Sequence, residues 1–401
     1  MIPTSLRIVY SVAALSAILP LQSKTQDTLA YERLKLDDQF YAEGATFADL
    51  NRDGSLDIVA GPFWYEGPLF SKRHELYPPK PFDPLKYSEN FFAYTDDFDD
   101  DGWLDVLVIG FPGADASWYR NPGKAGGHWE KHLAFNPVDN ESAMYVDLTG
   151  DGKAEVVCSS GGKYGYAVPD RENPTKPWTF HPVSAPGPFQ RFTHGLGVGD
   201  VNGDGRPDLL DKGGWWQQPV SLEGDPVWKR HTFPFSSGRG GAQMCVVDVN
   251  GDGLPDVATS IDAHGYGLSW FEQIRTPEGE RSFREHVILS TQADEKLEGV
   301  QFSQLHALAV VDLSGDGVPD LVSGKRWWAH GPNGDADPNG TPVVYAFLAR
   351  RDASGAVTFS PALLDDDSGI GTQLVSGDVN NDQRPDFVTA NKKGTFLLRS
   401  K

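Results

Sequence analysis

The chain has 401 residues, of which 39% are apolar and 11% aromatic, a balance that excludes an unstructured polymer. Its 44 Gly and 29 Pro favour short strands between turns, and no apolar stretch of helical period extends beyond about the first 25 residues. The formal net charge of −21 excludes the clustered Lys and Arg by which a protein holds nucleic acid.

In chain order, the first feature is an apolar run, Ile8 to Leu21, preceded by Arg7 and ending near Ser23. This is the pattern of a signal peptide, so residues 1–23 are expected to be removed and residues 24–401 to form the mature domain, periplasmic or extracellular. Pro20 and the length of the run argue against a retained membrane span. Cys158 and Cys245 fall in non-neighbouring repeats and are read as free buried thiols.

One acidic pattern then recurs: two or three apolar residues, D-x-N-x-D-G-x-x-D, and more apolar residues. Its copies begin at Asp49, Asp97, Asp147, Asp200, Asp248, Asp312 and Asp378. Each copy is followed by a β-rich stretch, an aromatic pair such as Trp64-Tyr65 or Trp215-Trp216, and an aromatic-plus-basic stretch such as Trp228-Lys229-Arg230-His231. Four short strands per period of about 50 residues are the signature of a propeller blade. The expected fold is therefore all-β, a seven-bladed β-propeller. The seventh unit stops without a fourth strand, and Tyr31 to Leu36 fits the missing one, so the N-terminal strand is expected to close the ring. Extra residues at Thr291 to Gln301 and Gly331 to Thr341 are expected to form loops on one face.

The acidic loops are read as Ca2+ sites. Oxygen-bearing side chains at positions 1, 3, 5 and 9, with Gly at 6 for a left-handed turn, can surround one hard cation. Five loops fit well: Asp49, Asn51, Asp53 and Asp57; Asp97, Asp99, Asp101 and Asp105; Asp200, Asn202, Asp204 and Asp208; Asp248, Asn250, Asp252 and Asp256; Asp312, Ser314, Asp316 and Asp320. The loop at Asp147, with Thr149 and Glu155, and the loop at Asp378, with Gln383 in place of Gly, fit less well. An EF-hand is excluded because position 12 holds Ala60, Val108, Thr259 or Ser323 instead of Glu. Metal-free Asx-turns remain the alternative. The frame resembles FG-GAP/VCBS repeats, the calcium-loop propellers of integrin α-chains and many exported bacterial proteins, over Tyr31 to Lys401.

Six residues before each first Asp stand Glu43, Phe91, Glu141, His194, Ala242, His306 and Thr372, with Gln243 and Gln373 one residue further on. These positions should ring the channel mouth on the face opposite the calcium loops. His194, His264 and His306 come from consecutive units and could hold one divalent transition metal such as Zn2+, or could be ordinary polar channel residues. His74, His132, His231 and His286 repeat at one strand position and are read as scaffold. The Trp pairs are read chiefly as core, with Trp216 and Trp328 as candidates for stacking on a sugar ring.

The stretches Arg191-Phe192-Thr193-His194-Gly195-Leu196-Gly197-Val198-Gly199-Asp200, Ala263-His264-Gly265-Tyr266-Gly267 and Gly324-Lys325-Arg326-Trp327-Trp328-Ala329-His330-Gly331 resemble the propeller part of aldos-2-ulose dehydratase-type proteins. That resemblance implies metal-assisted dehydration of an oxidised sugar. On that reading Glu141, Glu43 or Tyr266 would move protons, Lys325 and Arg326 would neutralise an enolate or carboxylate, and Glu43, Trp216, Gln243, Trp328, His330 and Gln373 would contact substrate. The alternatives are a non-catalytic propeller that binds a glycan or a protein partner, and a structural surface protein.

Overall fold

The computed structural model describes residues 29–236 and 238–401. The expected signal peptide, residues 1–23, lies outside the described residues. Among those described, no helix is long and apolar enough to cross a membrane. Regular structure is strand throughout, apart from one short 3₁₀ turn at Gly123–Ala125.

The strands follow the repeat. Thr46–Ala48, Asp57–Ala60, Phe63–Glu66 and Lys72–Glu75 pair antiparallel in chain order, as do Leu308–Val311, Asp320–Gly324, Val344–Arg351 and Val357–Asp365. At the other end Leu374–Gly377, Asp386–Asn391 and Gly394–Ser400 are joined by Tyr31–Asp37, in the register Tyr31 to Ser400. The middle of the chain departs from separate four-stranded sheets. The strand Glu130–Val146 runs on through bulges to serve two consecutive units, giving a seven-stranded sheet. Leu196–Gly199 pairs parallel with Gln243–Val247, giving an eight-stranded sheet.

The first strands of consecutive units touch one another, and Thr46–Ala48 meets both Phe92–Asp96 and Leu374–Gly377. The core lies between units, in apolar clusters such as Leu107, Trp118, Val156 and Trp178. Four of the repeated histidines cap it: His74, His231 and His286 stack on Trp64, Trp215 and Trp270 at ring separations of 4.0, 4.1 and 4.3 Å, and His132 lies 4.6 Å from Trp118. Cys158 and Cys245 are both unpaired.

The acidic loops turn twice. Positions 4 and 6 both have positive φ, as in Gly203 and Gly205 at 73° and 85°. Asn381 and Gln383 adopt the same conformation at 58° and 66°, so the seventh loop forms without either glycine. The ninth position has a role beyond the expected one. Asp208 accepts the Val201 amide at 3.0 Å and the Gln218 amide at 2.9 Å. Asp57, Asp105, Asp256 and Asp320 do the same in their units, each linking the second loop residue to the end of the third strand. All five are wholly buried, and besides the cation-ligand role expected of them they pin the loop to the sheet. Burial pushes Asp105, Asp208 and Asp256 up to about 7, and Asp57 and Asp320 up to about 6.

Candidate metal centre

Positions 1, 3 and 5 of the acidic loops remain candidates for a hard cation. Ligand atoms of Asp97, Asp99 and Asp101 lie within 4.8 Å of one another, and Asp97 Oδ1 is buried with no hydrogen-bond partner. An oxygen-only set with an orphaned carboxylate oxygen fits Ca2+. Asp147, Asp151 and Glu155 also converge, so the loop ranked lower by its sequence gathers three carboxylates. The other loops carry Asn or Ser at position 3 and contribute two carboxylates with Asn51, Asn202, Asn250 or Ser314 between them.

A second cluster is built differently. Glu141 lies near the end of the long shared strand, and His194 and His306 stand two residues before the first strands of their units. His264 sits in the turn between Asp256–Ser260 and Leu268–Arg275. One ligand atom from each of these four buried residues lies within 4.8 Å of all the others. His194 Nε2 is 2.9 Å from His264 Nε2 and 3.3 Å from Glu141 Oε2. The rings stand nearly perpendicular to one another, at 80°, 70° and 85°.

The outer nitrogens are engaged elsewhere. His194 Nδ1 donates to the Phe192 carbonyl at 3.0 Å, His306 Nδ1 faces the Gln304 carbonyl at 3.4 Å, and His264 Nδ1 is 3.3 Å from Asp335 Oδ1. With Nδ1 protonated, each ring turns an Nε2 lone pair inward. His306 Nε2 is buried and has no partner at all.

Electrostatics agree with this protonation. Burial, Arg326 and the other two rings push His306 well below its ordinary range. Burial lowers His264 as well, against the opposing pull of Asp335. Burial alone would raise Glu141, but His194, Arg326 and His264 hold it at about 2. Arg326 is wholly buried, in contact with Glu43, with Nη1 3.8 Å from Glu141 Oε2. Around the cluster the carboxylates of Glu43, Glu141 and Asp335 face the single Arg326 guanidinium. Three nitrogens and one oxygen with inward lone pairs fit a divalent transition ion such as Zn2+.

The cluster opens into a cavity of about 710 Å3. Tyr87, Phe91, Phe111, Phe189 and Phe192 form its apolar walls; Lys212, Arg239 and the ion pair of Arg230 with Asp211 form a charged side; Glu141, His194, His264, Arg326 and His330 also line it.

Several residues expected in this site are placed otherwise. Gln373 is spent on the neighbouring strand, bonding both the amide and carbonyl of Ala93 at 3.0 Å. Gln243 accepts the Leu308 amide at 3.1 Å in the same way. Glu43 is committed to Arg326. Trp216 is core, packed on Tyr164 and Phe189 beneath Arg230, and Trp328 stacks on Trp327 outside the cavity. Lys325 is buried with Nζ 2.6 Å from Ser303 Oγ, and burial lowers its ammonium to about 8. Neither Lys325 nor Tyr266 lines the cavity. Glu141 belongs with the ligand atoms, and a carboxylate held at about 2 is a poor proton carrier near neutral pH.

Asp335 and, of the aromatic walls, Tyr87, Phe111 and Phe189 were missed by sequence reasoning, whereas Phe91 was placed in the ring. The signal for Asp335 was its place in the Gly331 to Thr341 insertion; nothing periodic marked Phe111, Phe189 or Phe192.

Strand architecture and acidic loops together are propeller-like. The FG-GAP-like repeat matches directly at residues 97–158 and 147–210. No curated protein sequence matches the chain. Among solved structures, a lectin of Agrocybe aegerita that recognises non-reducing terminal N-acetylglucosamine is 17% identical, with a TM-score of 0.47 over 84% of this chain and 81% of the lectin. An exotype rhamnogalacturonan lyase is 14% identical, with a TM-score of 0.42 over 92% of this chain and 72% of the lyase. An auxiliary nutrient binding protein of Bacteroides ovatus is 10% identical, with a TM-score of 0.45 over 78% and 70%.

Proposed function

We propose that residues 24–401 form an exported seven-bladed β-propeller, closed by its N-terminal strand and stabilised by Ca2+, that acts as a metal-assisted carbon–oxygen lyase on a keto-sugar or sugar acid. The observation carrying this reading is the convergence of Glu141, His194, His264 and His306, the first three of which line a cavity large enough for a monosaccharide unit. Closure is supported by the pairing of Tyr31–Asp37 with Gly394–Ser400 and by the contacts of Thr46–Ala48 on both sides.

When bound, the ion supplies a Lewis acid for a substrate carbonyl. The chain's own groups do the rest. Glu141 and the three imidazoles would hold the ion, with the substrate oxygen as a fifth ligand or in place of one of the four. Phe111, Phe189 and Phe192 cover one side of the substrate and exclude water from it. Among the described residues Lys212 Nζ bonds backbone carbonyls, of Gly238 and Arg239, and lines the cavity where a substrate carboxylate could reach it. The reaction removes a proton α to the carbonyl; the released electron pair forms the carbon–carbon double bond as the β-oxygen departs with a proton, as water or an alcohol.

Metal analysis and turnover test this together. Purified protein should contain calcium and one transition-metal equivalent, and should convert some member of a panel of keto-sugars, aldonates and uronates to an unsaturated, ultraviolet-absorbing product. Calcium alone, with no conversion, would overturn the lyase and leave a glycan- or protein-binding propeller.

A further inference from the structure

The insertion Gly331 to Thr341 folds back as a strap against His264, Ser303 and Gln304. The Ala336 carbonyl accepts Ser303 Oγ at 2.7 Å and Gln304 Nε2 at 3.2 Å, and the Ala336 amide donates to the His264 carbonyl at 3.3 Å. These bonds bring the Asp335 carboxylate, 5% exposed, between two histidines. On one side His330 is gripped twice. Its amide donates to Asp335 Oδ2 at 3.1 Å, and its Nδ1 lies 2.9 and 3.0 Å from the two carboxylate oxygens. On the other side His264 Nδ1, buried and with no other partner, lies 3.3 Å from Oδ1. The two rings are 4.6 Å apart.

We propose that Asp335 is a shared positioning residue: its one carboxylate holds the Nδ1–H tautomer of both His264 and His330, turning the Nε2 of His264 into the metal centre and leaving the Nε2 of His330 to accept the substrate proton at the cavity. The proposal rests on the metal-assisted reading above. Its physical basis is general, because a ligand imidazole whose outer N–H meets a carboxylate is fixed in ring angle and made more basic. His330 supplies what the ligand set lacks. It lines the cavity, nearly half of its side chain is exposed, and its Nε2 is free of any hydrogen bond. In the elimination, His330 Nε2 takes the α-proton, the C–H electron pair forms the new double bond, and the proton returns to the departing β-oxygen.

The test uses the full mature chain with Asp335→Asn, Asp335→Ala and His330→Gln, with retained calcium content and melting curve as the check on folding. Two quantities are read: Zn2+ affinity by competition with a chromogenic chelator, and imidazole tautomers in the metal-free protein by long-range ¹⁵N–¹H NMR. Both Asp335 variants should weaken Zn2+ by roughly 10–100-fold at unchanged one-to-one stoichiometry, while His330→Gln leaves the affinity near wild type. The Nδ1–H signatures of His264 and His330 should be lost together in Asp335→Ala. Unchanged tautomers in that variant would overturn the proposal. So would two Zn2+ equivalents in wild type falling to one in Asp335→Asn, since Asp335 would then be a ligand of a second ion. A wild-type chain that binds no Zn2+ would defeat the metal-assisted reading, and the tautomer measurement would still decide the role of Asp335.

Discussion

His194 and His264 face each other nitrogen to nitrogen, their Nε2 atoms 2.9 Å apart, while the Nδ1 of each turns away to an oxygen acceptor. Two lone pairs at that distance repel unless a proton or a cation lies between them. A proton would serve one pair, but His306 Nε2 and Glu141 Oε2 lie in the same cluster, and His306 Nε2 has no partner. A cation satisfies all four at once.

The first prediction follows from that geometry. His306→Ala should lose the transition metal, measured by elemental analysis, while its calcium content and melting curve stay close to wild type. The acidic loops are separate structures pinned by their own buried aspartates, so removal of one imidazole should not reach them. Undiminished transition metal in this variant would show that the histidines are only polar neighbours.

Calcium should be part of the fold. Like charges such as Asp97, Asp99 and Asp101 repel when no cation lies between them, and binding energy realised only in the folded state becomes folding energy. Excess chelator should therefore lower the melting temperature, and added calcium should restore it where magnesium does not, since Mg2+ demands a smaller octahedral site. A melting curve indifferent to chelator would refute this.

Positions 5 and 9 of one loop should separate by experiment. Asp204→Ala should reduce calcium content with a modest loss of stability that excess calcium partly reverses. Asp208→Ala strands the buried amides of Val201 and Gln218 and should cost roughly 2–6 kcal/mol, at about 1–3 kcal/mol per unsatisfied group. Excess calcium should not restore it. Equal behaviour of the two variants in denaturant titrations with and without calcium would assign Asp208 to the ligand set alone.

The same buried carboxylates predict a pH effect in chelated protein. Their folded pKa values, about 6 to 7, lie above the unfolded value of about 3.9, so the fold binds more protons than the unfolded chain in between. Their contribution is complete below about pH 4 and is lost as pH rises through about 7. Chelated protein should therefore melt lower at pH 8 than at pH 6. The opposite slope would place these groups as ordinary ionised hydrogen-bond acceptors.

Deletion of residues through Leu36 removes the partner of Gly394–Ser400 and exposes its edge. That protein should aggregate, which light scattering would detect. A soluble deletion as stable as the parent would mean the strand is dispensable.

The repeat was legible because its causes are local. An acidic turn requires left-handed residues at fixed positions, and strands announce themselves by their spacing, so the units, the pairing of Tyr31–Asp37 with the last strand and the scaffold histidines followed from one-dimensional pattern. Residues sharing a repeat position also share a depth, which is why Glu141, His194 and His306 could be named together as residues of one ring. The same rule misled at Gln243, Gln373 and Glu43. Whether such a side chain faces the cavity or bonds the next strand depends on the distance to its neighbour, as the bonds from Gln373 to Ala93 illustrate, and that distance is not written in either segment. Trp216 and Lys325 failed for a related reason, because burial is decided by what covers them. Asp335 was hidden most fully, since it belongs to an insertion with no repeat partner. Only the strap that brings its carboxylate between His264 and His330, residues 71 and 5 positions away in the chain, gives it a role.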